Sequence, residues 1–207
     1  MARRPVVKPR KHASQERSRA TVDALVEATA RILVREGFDK ASTNHIAEQA
    51  GVSVGSLYQY FPGKEALVVA VIERHNHEIM QIVRDALAEV ALLPMERAVR
   101  KLVETAIKAH QMDPKLHRVL AEQIPRTGKL ENVEAFNRET YAMFKAYLES
   151  HREEFRAVDL ELAAFVCVTS IEALTHTAVL HHPEMLSQEK TGTLVDEATR
   201  LIVRYLC

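Results

Sequence analysis

The chain has 207 residues, 28 Lys/Arg balanced by 28 Asp/Glu, and 47% hydrophobic residues, a length that can bury a sizeable core in one large domain or two small ones. Two cysteines, Cys167 in an apolar run and Cys207 at the end, exclude a disulfide framework and a cysteine metal site. The longest apolar stretch, residues 162–171, is too short to span a membrane, no apolar segment of the secretory type follows the basic start, and a cytoplasmic protein is expected.

Neutrality conceals a segregation of charge. Residues 1–64 carry 11 Lys/Arg and 6 Asp/Glu, net +5, whereas residues 65–207 carry 17 and 22, net −5. A positive end joined to an acidic remainder is the footprint of a nucleic-acid reader with a separate sensing part. Seven of the basic residues fall within the first nineteen, with two prolines, so residues 1–13 read as a basic, disordered arm able to add counterion-release affinity or reach into a minor groove. Arg17 and Arg19, at the start of the first helix, are the best placed of these for DNA.

The first helix is predicted over residues 14–36, from Val22, Leu25, Val26, Thr29, Ile32 and Leu33 at helical spacing and from Gly37 as its stop. Residues 43–61 then read as a helix-turn-helix. Gly51 stands where one short amphipathic run must end and another begin, supplying the positive φ of a tight turn. Thr43 and Ser53 are placed to cap the two helices, and Ile46, Ala47, Ala50, Val52 and Leu57 form their buried face. Val54, Gly55, Ser56, Tyr58, Gln59 and Tyr60 are left facing outward. Gly55 permits close backbone approach to a base edge or phosphate, the hydroxyls can donate to phosphate oxygens, and the Gln59 amide can bond bidentately to adenine. Lys64 opens the next helix, whose positive N-terminus suits a further phosphate.

The segment STNHIAEQAGVSVGSLYQYFPGKEAL closely resembles the DNA-binding signature of the tetracycline-repressor (TetR) family of bacterial regulators, in which a threonine opens helix two and a Gly-Ser-Leu-Tyr-x-Tyr-Phe pattern forms helix three. The resemblance implies that Thr43 contacts a phosphate and Asn44 a base, that Val54, Gly55, Ser56 and Gln59 read bases, and that Tyr58, Tyr60 and Lys64 clamp phosphates. Val54 departs from the lysine or arginine common there: it cannot bind guanine but can pack on a thymine methyl.

A long helix is predicted from residue 64 to about 90, followed by helices at roughly 95–112, 114–124, 130–153, 158–182 and 188–206, divided by Pro94, Pro114, Pro125 and Pro183. No strand-like alternation occurs. The expected fold is therefore all-α, about nine helices: a DNA-binding head over residues 14–64 and a ligand-binding and dimerisation body over 65–207. Apolar stripes on the last two helices, including Val166, Leu174, Val179, Leu194, Leu201, Ile202 and Tyr205, are candidates for a homodimer interface; in the resembled family these helices pair with their copies. One short recognition helix reads few base pairs, and two-fold symmetry doubles the site. The resemblance also implies an effector bound within the body, for which His110, Met112, Met143, Phe144, Tyr147, Phe165 and Thr169 are candidate lining residues; a packed helical core has the same spacing.

The ten histidines show no i, i+4 pair with nearby carboxylates, and neither a phosphate loop nor a nucleophile motif is present, so no metal, cofactor or enzymatic activity is expected. The sequence thus points to a nucleoid-associated, homodimeric regulator of a palindromic operator, most simply a repressor released by a small molecule. A ligand-independent or activating regulator, and a sequence-independent DNA-packaging protein, are the alternatives.

Overall fold

The computed structural model describes residues 16–122, 130–156 and 159–207, with side chains described from residue 18 onward and not for 130–136. The basic arm of residues 1–13 and the side chain of Arg17 lie outside the described residues. Nine α-helices occur among them: α1 (Glu16–Glu36), α2 (Thr43–Ala50), α3 (Val54–Tyr60), α4 (Lys64–Val90), α5 (Met95–Gln111), α6 (Pro114–Glu122), α7 (Leu130–Ser150), α8 (Leu160–His181) and α9 (Thr191–Leu206). Single 3₁₀ turns at Arg152–Glu154 and Pro183–Leu186 take up chain that the sequence pattern assigns to the ends of α7 and to the connection before α9. The expectation of an all-α fold holds.

Two compact units form, and the first is discontinuous: residues 1–76 together with 115–133. Its core packs Leu25, Ile32 and Leu33 of α1, Ile46 and Ala47 of α2, Leu57 of α3 and Leu67 and Val71 of α4, all essentially inaccessible to water. Leu116, Val119 and Leu120 of α6 belong to the same core. The sequence reading ends the head at Lys64, whereas the packing extends it along α4 to Asn76 and adds α6. The reason is spacing: Leu116, Val119 and Leu120 share one face of a short helix, and that face is buried among the head's apolar residues.

The second unit, residues 77–114 and 134–207, is built on α5, α8 and α9 with the C-terminal half of α7. Its core holds Val99, Val103, Phe144, Leu148, Ala164, Cys167, Ile202 and Leu206. Burial pushes the Cys167 thiol up to about 12, as expected for a structural rather than reactive cysteine. Asp159 caps α8, its carboxylate accepting from the amides of Glu161 at 2.9 Å and Leu162 at 3.2 Å. Helix α8 is apolar around most of its circumference, and by length and composition alone its 22 residues would suffice to cross a membrane, which the shorter 162–171 stretch would not. Eight of its residues, from Ala163 to Leu180, are buried, and Ala163, Ala164, Cys167 and Ile171 belong to this unit's core.

Candidate nucleic-acid interface

The head presents two short helices whose ends are fixed by side chains. Ser42, not Thr43, caps α2: it is extended (φ −135°, ψ 153°) and its Oγ accepts from the amide of His45 at 3.3 Å. In the adjacent Ser-Thr pair either hydroxyl could cap, and the helix starts one residue earlier than the sequence reading required. Thr43 is thereby freed, and its Oγ1 lies 3.1 Å from the Tyr58 hydroxyl, joining the start of α2 to the middle of α3. Gly51 ends α2 at φ 68°, in the left-handed conformation expected of it, with its N–H directed to the carbonyls of Ala47 and Glu48. Ser53 caps α3, accepting from the Ser56 amide at 3.0 Å, and its Oγ lies 2.8 Å from that of Ser56.

This arrangement sorts the predicted DNA-binding residues. Asn44, Gly55, Tyr58 and Gln59 are exposed, with Tyr58 at 41%. A Cβ added at Gly55 would meet only the Ser53 Oγ, at 3.8 Å, so the protein leaves room there for whatever approaches from outside. Ser56 is half-buried and its hydroxyl is engaged by the cap.

Two outward assignments are corrected. Val54 is half-buried and packs against the head core, so little of its side chain remains for a thymine methyl; at the first position of α3 its direction is set by the Ser53 cap rather than by the apparent polar stripe. Tyr60 is only 8% exposed, and its hydroxyl lies 2.8 Å from Ser18 Oγ in the first turn of α1. Burial of a tyrosine demands a partner for its hydroxyl, and Ser18 is that partner, so Tyr60 ties α3 to α1 instead of standing outward. Lys64 is also turned inward: its Nζ donates to the Phe38 carbonyl at 3.0 Å and stands 4.1 Å from the centroid of the Phe38 ring. Ser18, Phe38 and Ser42 were missed by sequence reasoning. Ser18 and Phe38 act across 42 and 26 residues of chain, a distance over which no local pattern reports.

In the second unit the candidate effector residues fall into separate groups. His110 is buried, with its ring edge-on to His176 at 5.5 Å. Phe144 stacks on Tyr147 at 6.0 Å, and Tyr147 on His151 at 4.3 Å. The Tyr147 hydroxyl is buried without a hydrogen-bond partner among the described residues, as is Thr199 Oγ1. Burial, and secondarily the charge of Glu154, pushes Tyr147 up to about 12. Thr169 Oγ1 lies 3.2 Å from the Tyr141 hydroxyl, and Phe165 packs on the same ring at 5.7 Å. Phe165 itself is 51% exposed, Met112 is exposed in the turn after α5, and Met143 is half-buried.

The interface candidates also divide. Val179 and Ile202 are buried, so little of either side chain remains for a second copy; on α8, apolar around most of its circumference, composition does not tell the inner stripe from the outer one. Leu174 and Leu201 are exposed and Val166, Leu194 and Tyr205 half-buried, while Leu162 and Phe165 on α8 are more than half exposed.

Residues 25–71 match the model of bacterial regulatory proteins of the tetR family, and residues 94–206 match that of the tetracyclin repressor-like C-terminal domain. Among relatives, the nucleoid occlusion factor SlmA of Glaesserella parasuis serovar 5 (strain SH0165) is 28% identical over 116 residues, covering 56% of this chain and 55% of SlmA, so the match spans about half the length of that relative. Two solved structures show the same fold at low identity. The fatty acid degradation regulator FadR from Bacillus halodurans aligns with a TM-score of 0.69 at 19% identity over 88% of this chain and 94% of its own. SmeT, the repressor of the Stenotrophomonas maltophilia multidrug efflux pump SmeDEF, aligns in its triclosan complex with a TM-score of 0.65 at 20% identity over 87% and 90%. With a capped helix-turn-helix at one end and a family-specific match over more than half of its length, the chain belongs to the TetR family of DNA-binding transcriptional regulators.

Proposed function

We propose that this regulator is a homodimeric repressor of a palindromic operator, acting at the nucleoid and released by a small apolar or amphipathic effector. The observation that carries the reading is the exposure of large apolar side chains on the last two helices, Leu162, Phe165 and Leu174 on α8 and Leu201 on α9, each 39–56% exposed. Four large apolar side chains on two helices of one unit are costly in water, and a second copy of the chain covers them most economically. Two copies then present two recognition helices to half-sites about 34 Å apart, and an effector that binds better to another spacing lowers operator occupancy by population shift.

The buried hydroxyls of Tyr147 and Thr199 support the effector part, because each offers hydrogen-bonding capacity inside an otherwise apolar body. The structural neighbours SmeT, in complex with triclosan, and FadR, a fatty acid degradation regulator, are consistent with apolar chemistry for such a ligand. Selection of bound duplexes from a random library, with sedimentation of the free protein, tests the reading. A palindromic consensus bound by a dimer is expected; a monomer bound to a single half-site would refute it.

The similarity to a nucleoid occlusion factor and the basic arm favour a second reading, in which the chain coats many chromosomal sites with little sequence preference. The same selection decides between them, since it would then return no consensus.

A further inference from the structure

Phe144, Tyr147 and His151 stand three and four residues apart near the end of α7, so their rings share one side of the chain and stack in a ladder, with centroids 6.0 Å and 4.3 Å apart. A backbone carbonyl can only accept, so His151 Nδ1 donates to the Tyr147 carbonyl at 3.0 Å, which fixes the imidazole over the phenol. Packing therefore accounts for the Tyr147 ring, and the phenyl of Phe144 beside it shows that such packing needs no hydroxyl. Yet Tyr147 carries one, on a residue only 6% exposed and with no hydrogen-bond partner among the described residues, at a cost in stability that phenylalanine would not incur.

The surroundings set the charge of what this hydroxyl can receive. Burial, and then the charge of Glu154, whose carboxylate accepts from the Met95 amide at 3.4 Å, keeps the phenol protonated and able to donate. Among the described residues of the body no lysine or arginine is buried; besides Tyr147 the buried polar side chains are Thr105, His110, Thr175 and Thr199. Thr175 turns its hydroxyl back onto the Ile171 carbonyl, and His110 lies against His176. A carboxylate brought to Tyr147 would meet the charge of Glu154 and lose its water without gaining a lysine or arginine.

We propose that the Tyr147 hydroxyl is the polar anchor of the effector site and that it selects an uncharged effector, an apolar molecule with a neutral head such as an amide, ester or alcohol, over a carboxylate of the same length. The inference rests on the reading of the body as an effector sensor. The phenol donates to the oxygen of the neutral head, the apolar side chains of the body's core take the remainder, and binding supplies the partner that the hydroxyl lacks.

The test uses the full chain at about pH 8, where a carboxylate probe is ionised. Octanamide and octanoate are titrated by calorimetry and then added to the protein on a duplex it has selected. Wild type is expected to bind octanamide at least about tenfold more tightly than octanoate, and Tyr147→Phe to weaken octanamide about tenfold while changing octanoate less than about threefold. Glu154→Gln, which keeps an oxygen for the Met95 amide, should strengthen octanoate about fivefold and leave octanamide unchanged. Octanoate bound as tightly as octanamide, equal octanamide binding by wild type and Tyr147→Phe, or no binding of either probe up to its solubility limit would each overturn the anchor. If circular dichroism shows that Tyr147→Phe loses helicity, Glu154→Gln decides: stronger octanoate binding supports the proposal and unchanged binding overturns it. Release of the selected duplex by octanamide supports the effector role, whereas octanamide bound through Tyr147 without release refutes that role and leaves the choice of an uncharged head standing.

Discussion

The head and the body treat their polar and apolar groups in opposite ways. In the head, Ser42 and Ser53 satisfy helix ends, Tyr60 is buried but tied to Ser18, and Lys64 is held by Phe38, while the outer face keeps Asn44, Tyr58 and Gln59. In the body, Tyr147 and Thr199 hold buried hydroxyls with no partner among the described residues, and Leu162, Phe165, Leu174 and Leu201 stand in water. A unit with its polar groups paired and its apolar groups covered has one preferred conformation and suits rigid recognition. A unit with polar capacity inside and apolar surface outside gains free energy from a ligand and from a second copy, which is what a sensor requires.

The sharpest way to break this contrast is Gly55→Leu. Because a Cβ there meets only the Ser53 Oγ, at an ordinary contact distance of 3.8 Å, and leucine is a better helix former than glycine by somewhat under about 1 kcal/mol, the variant should fold at least as stably as wild type. Binding to a selected duplex should nevertheless fall by about a hundredfold or more, read by titration beside circular dichroism. Loss of helicity along with binding would make Gly55 a structural residue and leave the head dependent on it for folding.

Second in size, Phe165→Asp combined with Leu201→Asp should convert a sedimenting dimer into a monomer and reduce affinity for a palindromic duplex by one to two orders of magnitude, with helicity retained. A dimer that survives both aspartates would place the interface elsewhere.

Smaller effects separate a hydroxyl with a partner from one without. Ser42→Ala removes a cap and should lower the stability of the head by about 1 kcal/mol in urea. Tyr147→Phe removes an unpaired hydroxyl and should raise the stability of the body by about 1 kcal/mol. The same variant has a pH signature. With its folded pKa pushed up to about 12, Tyr147 keeps its proton above pH 10 where the unfolded chain loses it, so its contribution is full below pH 10 and falls as pH rises toward 12. Tyr147→Phe should flatten that alkaline decline, and an unchanged slope would mean that the hydroxyl is open to water.

Much of the head was legible because its signals are local. Gly51 marks a turn by its own backbone freedom, Ser53 caps the amide three residues on, and the periodic Ile46, Ala47 and Leu57 face inward by helix geometry alone. What was misread depends on contacts across the fold: Tyr60 looks like a surface hydroxyl until Ser18 is brought to it, and Lys64 looks like a free cation until Phe38 is. In the body the difficulty is different in kind. Helix α8 is apolar on nearly every side, so Val179 and Leu174 are equivalent in sequence, and only packing assigns one to the core and the other to the surface.

The placement of α6 in the head core has a consequence for synthesis of the chain. Leu116, Val119 and Leu120 emerge from the ribosome only after some forty residues that belong to the other unit, so the head cannot complete its core when α4 has been made. At 5–20 residues per second the nascent DNA-binding unit waits roughly 2 to 10 s with part of that apolar surface uncovered. A chain cut at residue 76 would make that pause permanent, so an isolated head is expected to need α6 supplied, in the same chain or as a peptide, to fold to its native stability.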